Sequence, residues 1–320
     1  MQISKRIRAS LIVGASLIAT SVCAQSDKPI KFILPVSAGS GVDTITRAAQ
    51  PTLTKALGQT MVVDNQPGAG GITGTYAMIK SPPDGLTLSV ISNNHVIYPS
   101  VYKNVPFDPI ADVTPIAVLG ATPLVLVVNK NVAAKDVKEF VALLRAKPDG
   151  FNYASSGNGT ILHLAAEIFN DATGVKAKHI PYKGVAPMVQ DIIGGQVEYG
   201  VLAWPAARGH VASGNLKPLA MMTAARVAGV EVPTAAEMGF PSAVAEAWFA
   251  VIGPAKMPTA EVARVRTAFV TAFDSPEVKD AMAKQANTVN IQSSEASAEF
   301  MKAEMKKFAD LVKKIGLKID

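Results

Sequence analysis

Asn152 to Glu167 holds the densest set of residues that could do chemistry. An apolar run ends at Tyr153-Ala154, and Ser155-Ser156-Gly157-Asn158-Gly159-Thr160 follows. Leu162, Ala165, Ala166 and Phe169 then recur on one helical face. The pattern reads as strand, small-residue loop and helix, with Thr160 able to cap the helix. Such a loop has few side chains to mask its own N–H groups, and those donors lie at the positive end of a helix dipole. That combination suits an anion. Gly157 and Gly159 permit positive φ and close approach. The same residues also fit an ordinary strand-to-helix turn. A second chemistry is nucleophilic: Ser155 or Ser156 with His163 as base would make a secreted serine-type hydrolase. That needs a hydrogen-bonded base and a third group to orient it, which spacing alone does not supply.

Other catalytic and cofactor templates fail. There is no G-x-S-x-G elbow, no H-E-x-x-H and no close His pair. Gly39-Ser40-Gly41, Gly68-Ala69-Gly70 and Gly157-Asn158-Gly159 each begin a dinucleotide fingerprint. Thr44, Thr73 and Leu162 stand where its third glycine belongs. We therefore expect no catalytic residue, no metal and no cofactor. His95 and His163 could each contact a ligand or serve structure, and Asp43 and Asp191 could contact ligand or brace a loop.

The elements that must position these loops alternate regularly. Ile30–Pro35 is a strand, Val36–Val42 a loop and Asp43–Leu57 a helix ended by Gly58. Met61–Val63, the loop Asn65–Gly71 and a helix Ile72–Lys80 repeat the unit, and Leu86–Ile91 leads into the polar loop Ser92–His95. Short strands at Val118–Gly120 and Leu124–Val128 flank Thr122-Pro123, and Ala133–Ala146 is helical. Strands at Lys178–Tyr182, Glu198–Leu202 and Leu216–Met222 continue the scheme, with a helix from the Lys183–Pro187 loop to Ile193. After a strand at Ala247–Ile252, three helices follow: Thr259–Phe273, Pro276–Gln285 and Ser294–Ile315. Alternation of this kind predicts a mainly parallel α/β sheet with ligands beyond the C-terminal strand ends. Phe300, Met301, Met305, Phe308, Val312 and Ile315 form a packing stripe on the last helix.

The 320 residues suffice for two domains. Lys5, Arg6 and Arg8, an apolar run from Leu11 to Ala19 and Val22-Cys23-Ala24 read as a secretory signal peptide cut after Ala24, which marks the protein for export. Val22 stands where a lipoprotein signal carries a small residue. Cys23 is the only cysteine, so cleavage removes disulfide and thiol chemistry. Those three cations supply half of the net charge of +6. The mild remainder suits an anionic ligand, and no basic cluster with aromatics marks nucleic acid.

In order and spacing, several motifs resemble the Bug-type substrate-binding proteins of tripartite tricarboxylate transporters. They are Pro35, Gly39, Asp43 and Arg47; Leu57-Gly58-Gln59; Asn65-Gln66-Pro67-Gly68-Ala69-Gly70-Gly71; and Pro83-Asp84-Gly85 with Pro106-Phe107-Asp108-Pro109. Tyr153–Gly157 with Gly159-Thr160, His163 and Glu167, then Pro181-Tyr182-Lys183-Gly184 and Gly194–Val197, complete the set.

The resemblance implies a two-domain periplasmic-binding-protein fold, type II-like, with the ligand in the interdomain cleft and two hinge strands near Thr122–Leu124 and Ala225–Val230. Domain I would be 25–122 and 228–320, and domain II 123–227. It implies a receptor that takes a small mono- or dicarboxylate to tripartite tricarboxylate membrane subunits; a ligand-sensing partner of a signalling protein is a further alternative. Carried over by position, the first-domain contacts would be Ser37, Ala38, Gly39, Ser40, Gly41, Asn93, Asn94 and His95. The second-domain contacts would be Ser155, Ser156, Gly157, Asn158, Gly159, Thr160, Gly184, Val185, Ala186 and Pro187. Two departures stand out. Ser40 follows Gly39 where relatives have a Gly-Gly pair. Leu202, before Ala203-Trp204, stands where many relatives carry an acid. Leu202 would then line the pocket and favour an apolar or aromatic ligand body over an ammonium.

Overall fold

A computed structural model describes residues 28–148 and 150–317. The expected signal segment 1–24 lies outside them, as does Asp149 in the expected turn Lys147–Gly150. The chain opens with β1 (Ile30–Leu34), α1 (Gly41–Leu57), β2 (Met61–Asn65), α2 (Ile72–Ile79), β3 (Thr87–Ser92), α3 (Asn94–Val101) and β4 (Val113–Asn129). It continues with α4 (Val137–Ala146), β5 (Asn152–Ser155), α5 (Ile161–Thr173), β6 (Lys178–Pro181), α6 (Val185–Gly194), β7 (Tyr199–Ala203), α7 (Trp204–Ala212) and β8 (Leu216–Met221). It closes with β9 (Glu246–Pro254), α8 (Thr259–Asp274), α9 (Pro276–Lys284), β10 (Thr288–Val289) and α10 (Ser294–Lys314).

Two sheets share one strand. The first runs β2-β1-β3-β9-β4-β10, with β9 antiparallel to both β3 and β4. The second runs β8-β4-β7-β5-β6, with β5 parallel to β6 and β7. β4 is not two short strands but one of 17 residues. Its first half pairs with β9 as far as Pro123 opposite Glu246, and Leu124 then pairs with Ala203 of β7. The first crossing therefore falls within the expected Thr122–Leu124.

The return crossing comes later than Ala225–Val230. After β8 the chain doubles back, and Met221 N–H donates to Pro233 O while Ala235 N–H donates to Met221 O. Residues up to Ala245, whose N–H reaches Met222 O, thus stay with the second sheet. Glu246 opposite Pro123 is the first residue back in the first sheet.

Local chemistry explains the elements that hold the site. Ser40 caps α1 by accepting from Asp43 N–H, and Gly58 ends the helix in the left-handed region at φ 66°. The face Ile45, Ala49, Leu53 and Leu57 is buried against Phe32, Leu34 and Phe269 in the first core. Thr160 caps α5 as expected. α10 packs on α3 and β4 through Met301, Phe308 and Val312, and Ser297 Oγ accepts from Val118 N–H at 2.8 Å. Each large side chain buried in this way contributes about 1.5–3 kcal/mol.

Candidate functional site

The cleft between the sheets contains two adjoining cavities. The outer one, of about 580 Å³, lies between the loops after β1, β2, β5 and β6. The inner one is smaller, about 60 Å³, and is deeper. Val36, Asn94, Ser156 and Val185 line both and form the neck between them.

Five helices begin at the inner chamber, α3 with Asn94 among them. Ser40, Gly41 and Val42 open α1, Ile161 and Leu162 open α5, Val185 opens α6, and Ala203 and Ala206 flank the start of α7. Their dipoles make the chamber electropositive without any cationic side chain. The remaining wall is mostly apolar, with Ile45, Leu124, Ala247, Trp248 and Phe249, and Ser92 adds a polar position. Among the described residues, no Asp, Glu, Lys or Arg lines it. Thr122, on the crossing segment of β4, also faces the chamber, and its Oγ1 is buried with no hydrogen-bond partner among the described residues. A buried orphan hydroxyl is uncommon because leaving it unpaired costs about 1–3 kcal/mol. Among the described residues lining the outer cavity, Lys183 is the one charged side chain.

Among the described residues, three hydrogen bonds from cavity-lining groups join the domains across the cleft, and Arg208 Nη1, donating to Lys284 O at 2.8 Å, joins them elsewhere. Ile161 N–H donates to Asn94 Oδ1 at 2.8 Å, Val185 N–H to Ser37 Oγ at 2.9 Å, and Tyr102 OH to Asn158 O at 2.8 Å. Gly41 and Gly184 allow this approach. A Cβ on Gly184 would stand 2.7 Å from Ser37 Oγ, and one on Gly41 would stand 2.8 Å from Ala203 Cβ.

The expected contact residues divide. Ser37, Gly157, Asn158, Thr160 and Gly184 line the outer cavity, Ser40 and Gly41 the inner, and Asn94, Ser156 and Val185 both. Ala38, Gly39, Ala186 and Pro187 lie exposed at the rim without lining either. Asn93 is buried and bridges α3 to β9, its Nδ2 donating to Glu246 O and its Oδ1 accepting from Trp248 N–H. His95 is not in a loop but in the first turn of α3, turned inward. Its Nε2 meets Pro109 O at 2.6 Å and its ring stacks on Phe107. Burial pushes its pKa down to about 4, and this neutral core residue is removed from the contact set. Leu202 is removed as well: it is fully buried in β7 opposite Val125, facing core. Trp204, beside it, is half-buried against the same core.

The glycine loop spends several donors internally. Gly157 and Gly159 have φ of 135° and 65°, the freedom that glycine supplies. Gly157 N–H donates to Ser155 Oγ at 3.2 Å, and Gly159 N–H donates to His163 Nδ1 at 3.0 Å. Ser155 is fully buried, and its hydroxyl lies 2.7 Å from His179 Nε2, not against His163. It lines neither cavity, so the hydrolase arrangement of Ser155 with His163 does not form. Asp43 is a brace: Oδ2 accepts from Gly39 N–H and Oδ1 from Arg47 and Asn65, fixing the loop ahead of α1. Asp191 likewise accepts from Tyr182 OH.

Sequence reasoning left out Pro67–Gly71 and Tyr102 in the outer wall and Thr122 and Trp248 in the inner one. The turn-rich Asn65–Gly71 loop was a usable signal for the first group. Nothing local marks the others.

Residues 45–317 match the model of the tripartite tricarboxylate transporter family receptor. The protein BugT of Bordetella pertussis is 33% identical over 97% of this chain and 96% of its own length. Two solved structures from Rhodopseudomonas palustris superpose closely. Rpa4515 with adipate has a TM-score of 0.88 and 28% identity, covering 91% of this chain and 99% of its own. MatC (Rpa3494) with bound malate has a TM-score of 0.84 and 26% identity, covering 89% and 99%.

Proposed function

Because this chain belongs to the tripartite tricarboxylate transporter receptor family, we propose that it captures a small carboxylate in the periplasm and delivers it to tripartite tricarboxylate membrane subunits. The carboxylate head enters the inner chamber, among the N-terminal turns of α1, α5, α6 and α7. The body of the ligand occupies the neck and the outer cavity, whose volume is in the range of ligand sites.

The observation that carries this reading is the inner wall: convergent helix N-termini with no charged side chain. Helix dipoles favour an anion there, while an ammonium would lose its hydration and find no carboxylate in return. Val36, Pro67, Tyr102, Tyr182 and Val185, along the neck and the outer cavity, favour an apolar or aromatic ligand body. Apolar preference thus rests on these residues instead of Leu202. The relatives carrying adipate and malate support the carboxylate class. Receptor chemistry needs no nucleophile, consistent with the burial of Ser155.

A thermal-shift panel of monocarboxylates, dicarboxylates and amino acids of matched size tests the reading, since a ligand that binds only the folded state raises the midpoint. Carboxylates without an ammonium group should give the largest shifts. Amino acids ranking first would refute the class. Lys183→Met should weaken dicarboxylates about 2–5-fold and leave monocarboxylates unchanged, the modest size reflecting an exposed charge.

A further inference from the structure

Packed against the glycine loop, and lining neither cavity, is a cluster of three aromatic rings. His163 of α5 and His179 of β6 stack with centroids 3.7 Å apart and planes 13° from parallel. Tyr153 of β5 lies beside both rings, 4.8 Å from His179 and 6.1 Å from His163. His163 is buried. Its Nδ1 accepts from Gly159 N–H at 3.0 Å, and its Nε2 is 4.0 Å from Glu167 Oε1, a carboxylate that also receives the Tyr153 hydroxyl. A backbone N–H can only donate, so Nδ1 must be unprotonated and the ring proton must sit on Nε2, toward Glu167. His179 holds Ser155 Oγ, and that oxygen accepts from Gly157 N–H. Each loop glycine is therefore tied to one member of the histidine stack.

We propose that His163 is a positioning residue for ligand capture: as a neutral acceptor backed by the His179 ring, it sets the course of the Gly157–Thr160 backbone into the cleft. This rests on the carboxylate reading above only for its effect on affinity. Without the Nδ1 acceptor, Gly159 N–H would be buried and unpaired, and the loop would turn to find water or another oxygen. Asn158, whose carbonyl takes the cross-cleft Tyr102 bond, and Thr160, which caps α5, flank Gly159 and would move with it. Burial and the neighbouring imidazole push the pKa of His163 down to about 3, and burial pushes that of His179 down to about 4. Both rings are thus neutral at physiological pH, as the acceptor role demands.

The test uses the full chain, labelled with ¹⁵N, as wild type, His163→Leu and His163→Asn. Asn keeps an acceptor oxygen near the place of Nδ1, and Leu does not. Long-range ¹H–¹⁵N spectra of the wild type should show His163 with its proton on Nε2. Amide exchange at Gly159 should be roughly 10-fold faster in His163→Leu, with His163→Asn returning toward wild type. Affinities for malate and adipate, titrated by calorimetry, should follow the same order. A proton on Nδ1, unchanged Gly159 exchange in a folded His163→Leu, or exchange in a folded His163→Asn as fast as in the Leu variant each overturns the proposal. Should His163→Leu fail to fold, the tautomer and the Asn variant decide alone. Failure of both carboxylates to bind wild type counts against the functional reading, and the exchange and tautomer results still decide this one.

Discussion

Gly41→Ala separates closure of the cleft from stability of the fold. Gly41 opens α1, and its φ is not in the positive region, so alanine adds no backbone strain and improves helix propensity. Its Cβ would stand 2.8 Å from Ala203 Cβ in the opposite domain. Carbon atoms rest about 3.5–4.0 Å apart, so the domains must part by roughly 1 Å at this point. The Ile161–Asn94 and Val185–Ser37 bonds, at 2.8 and 2.9 Å, would then pass hydrogen-bond reach. Two such bonds at about 1 kcal/mol each make roughly 2 kcal/mol, or about 30-fold in the closed population. Ligand affinity should fall by the same factor, because apparent affinity scales with the competent fraction. Calorimetry with adipate reads the affinity, and small-angle scattering should show a larger radius of gyration at saturation. Ala203→Gly in the same molecule removes the clashing methyl and should restore both. If Gly41→Ala binds and scatters like wild type, the steric argument fails. If the double variant is no better than the single, the methyl obstructs the ligand and not the closure.

Thr122→Val should weaken carboxylate binding about 3–10-fold while raising the urea midpoint of the free protein, since it deletes an unpaired buried hydroxyl; lower stability with unchanged affinity would show that Thr122 does not face ligand. Leu202→Asp should destabilise by more than ~4 kcal/mol and gain no amino-acid binding, because the side chain is fully buried in the second core; a folded variant binding an amino acid would return Leu202 to the pocket. Acid should destabilise the protein in the window from pH 6.5 to about 4. His95, His163 and His179 have folded pKa values of about 4, 3 and 4 against an ordinary 6.5. As pH falls through this window the unfolded chain takes up protons that the native one refuses, so stability rises with pH, and above 6.5 these groups add no slope. Each fully linked histidine adds up to ~1.4 kcal/mol per pH unit. His95→Gln should flatten the slope in urea titrations, and an unaltered slope would contradict burial of the neutral ring.

The strand–loop–helix units and their caps were readable because small polar residues sit between apolar runs. Ser275 before Pro276, Thr160 before Leu162 and Gly58 after Leu57 all stand at the helix ends their chemistry specifies. Ten of the expected contacts line a cavity because the loop after a parallel strand has one place to go. α3 stayed hidden because nearly all of its residues are buried and Pro99 lies inside it, so no 3.6-residue alternation of apolar and polar positions shows. With it went the orientation of His95, which depends on helix register. α7 begins Trp-Pro directly after β7 and also lacks an apolar stripe. Thr122 and Trp248 reach the chamber from β4 and β9, which are antiparallel and far apart in sequence. Their pairing is a property of the closed sheet that no local window contains.

The place of β9 in the first sheet governs when this protein can fold. β9 inserts between β3 and β4, with Ser89 opposite Ile252, and α10 seals the far side. As the chain is made, its first hundred residues emerge with the edge of β3 unpaired. The second domain, an uninterrupted stretch from Leu124 to Ala245, can complete itself in the meantime. Only when the last quarter arrives does the first domain gain its central strand and its covering helices. Non-local closure of this kind is slow, so the first domain should lack its completed sheet for most of its synthesis. Were the chain exported in an extended state, that delay would keep its N-terminal half threadable until translation is nearly over.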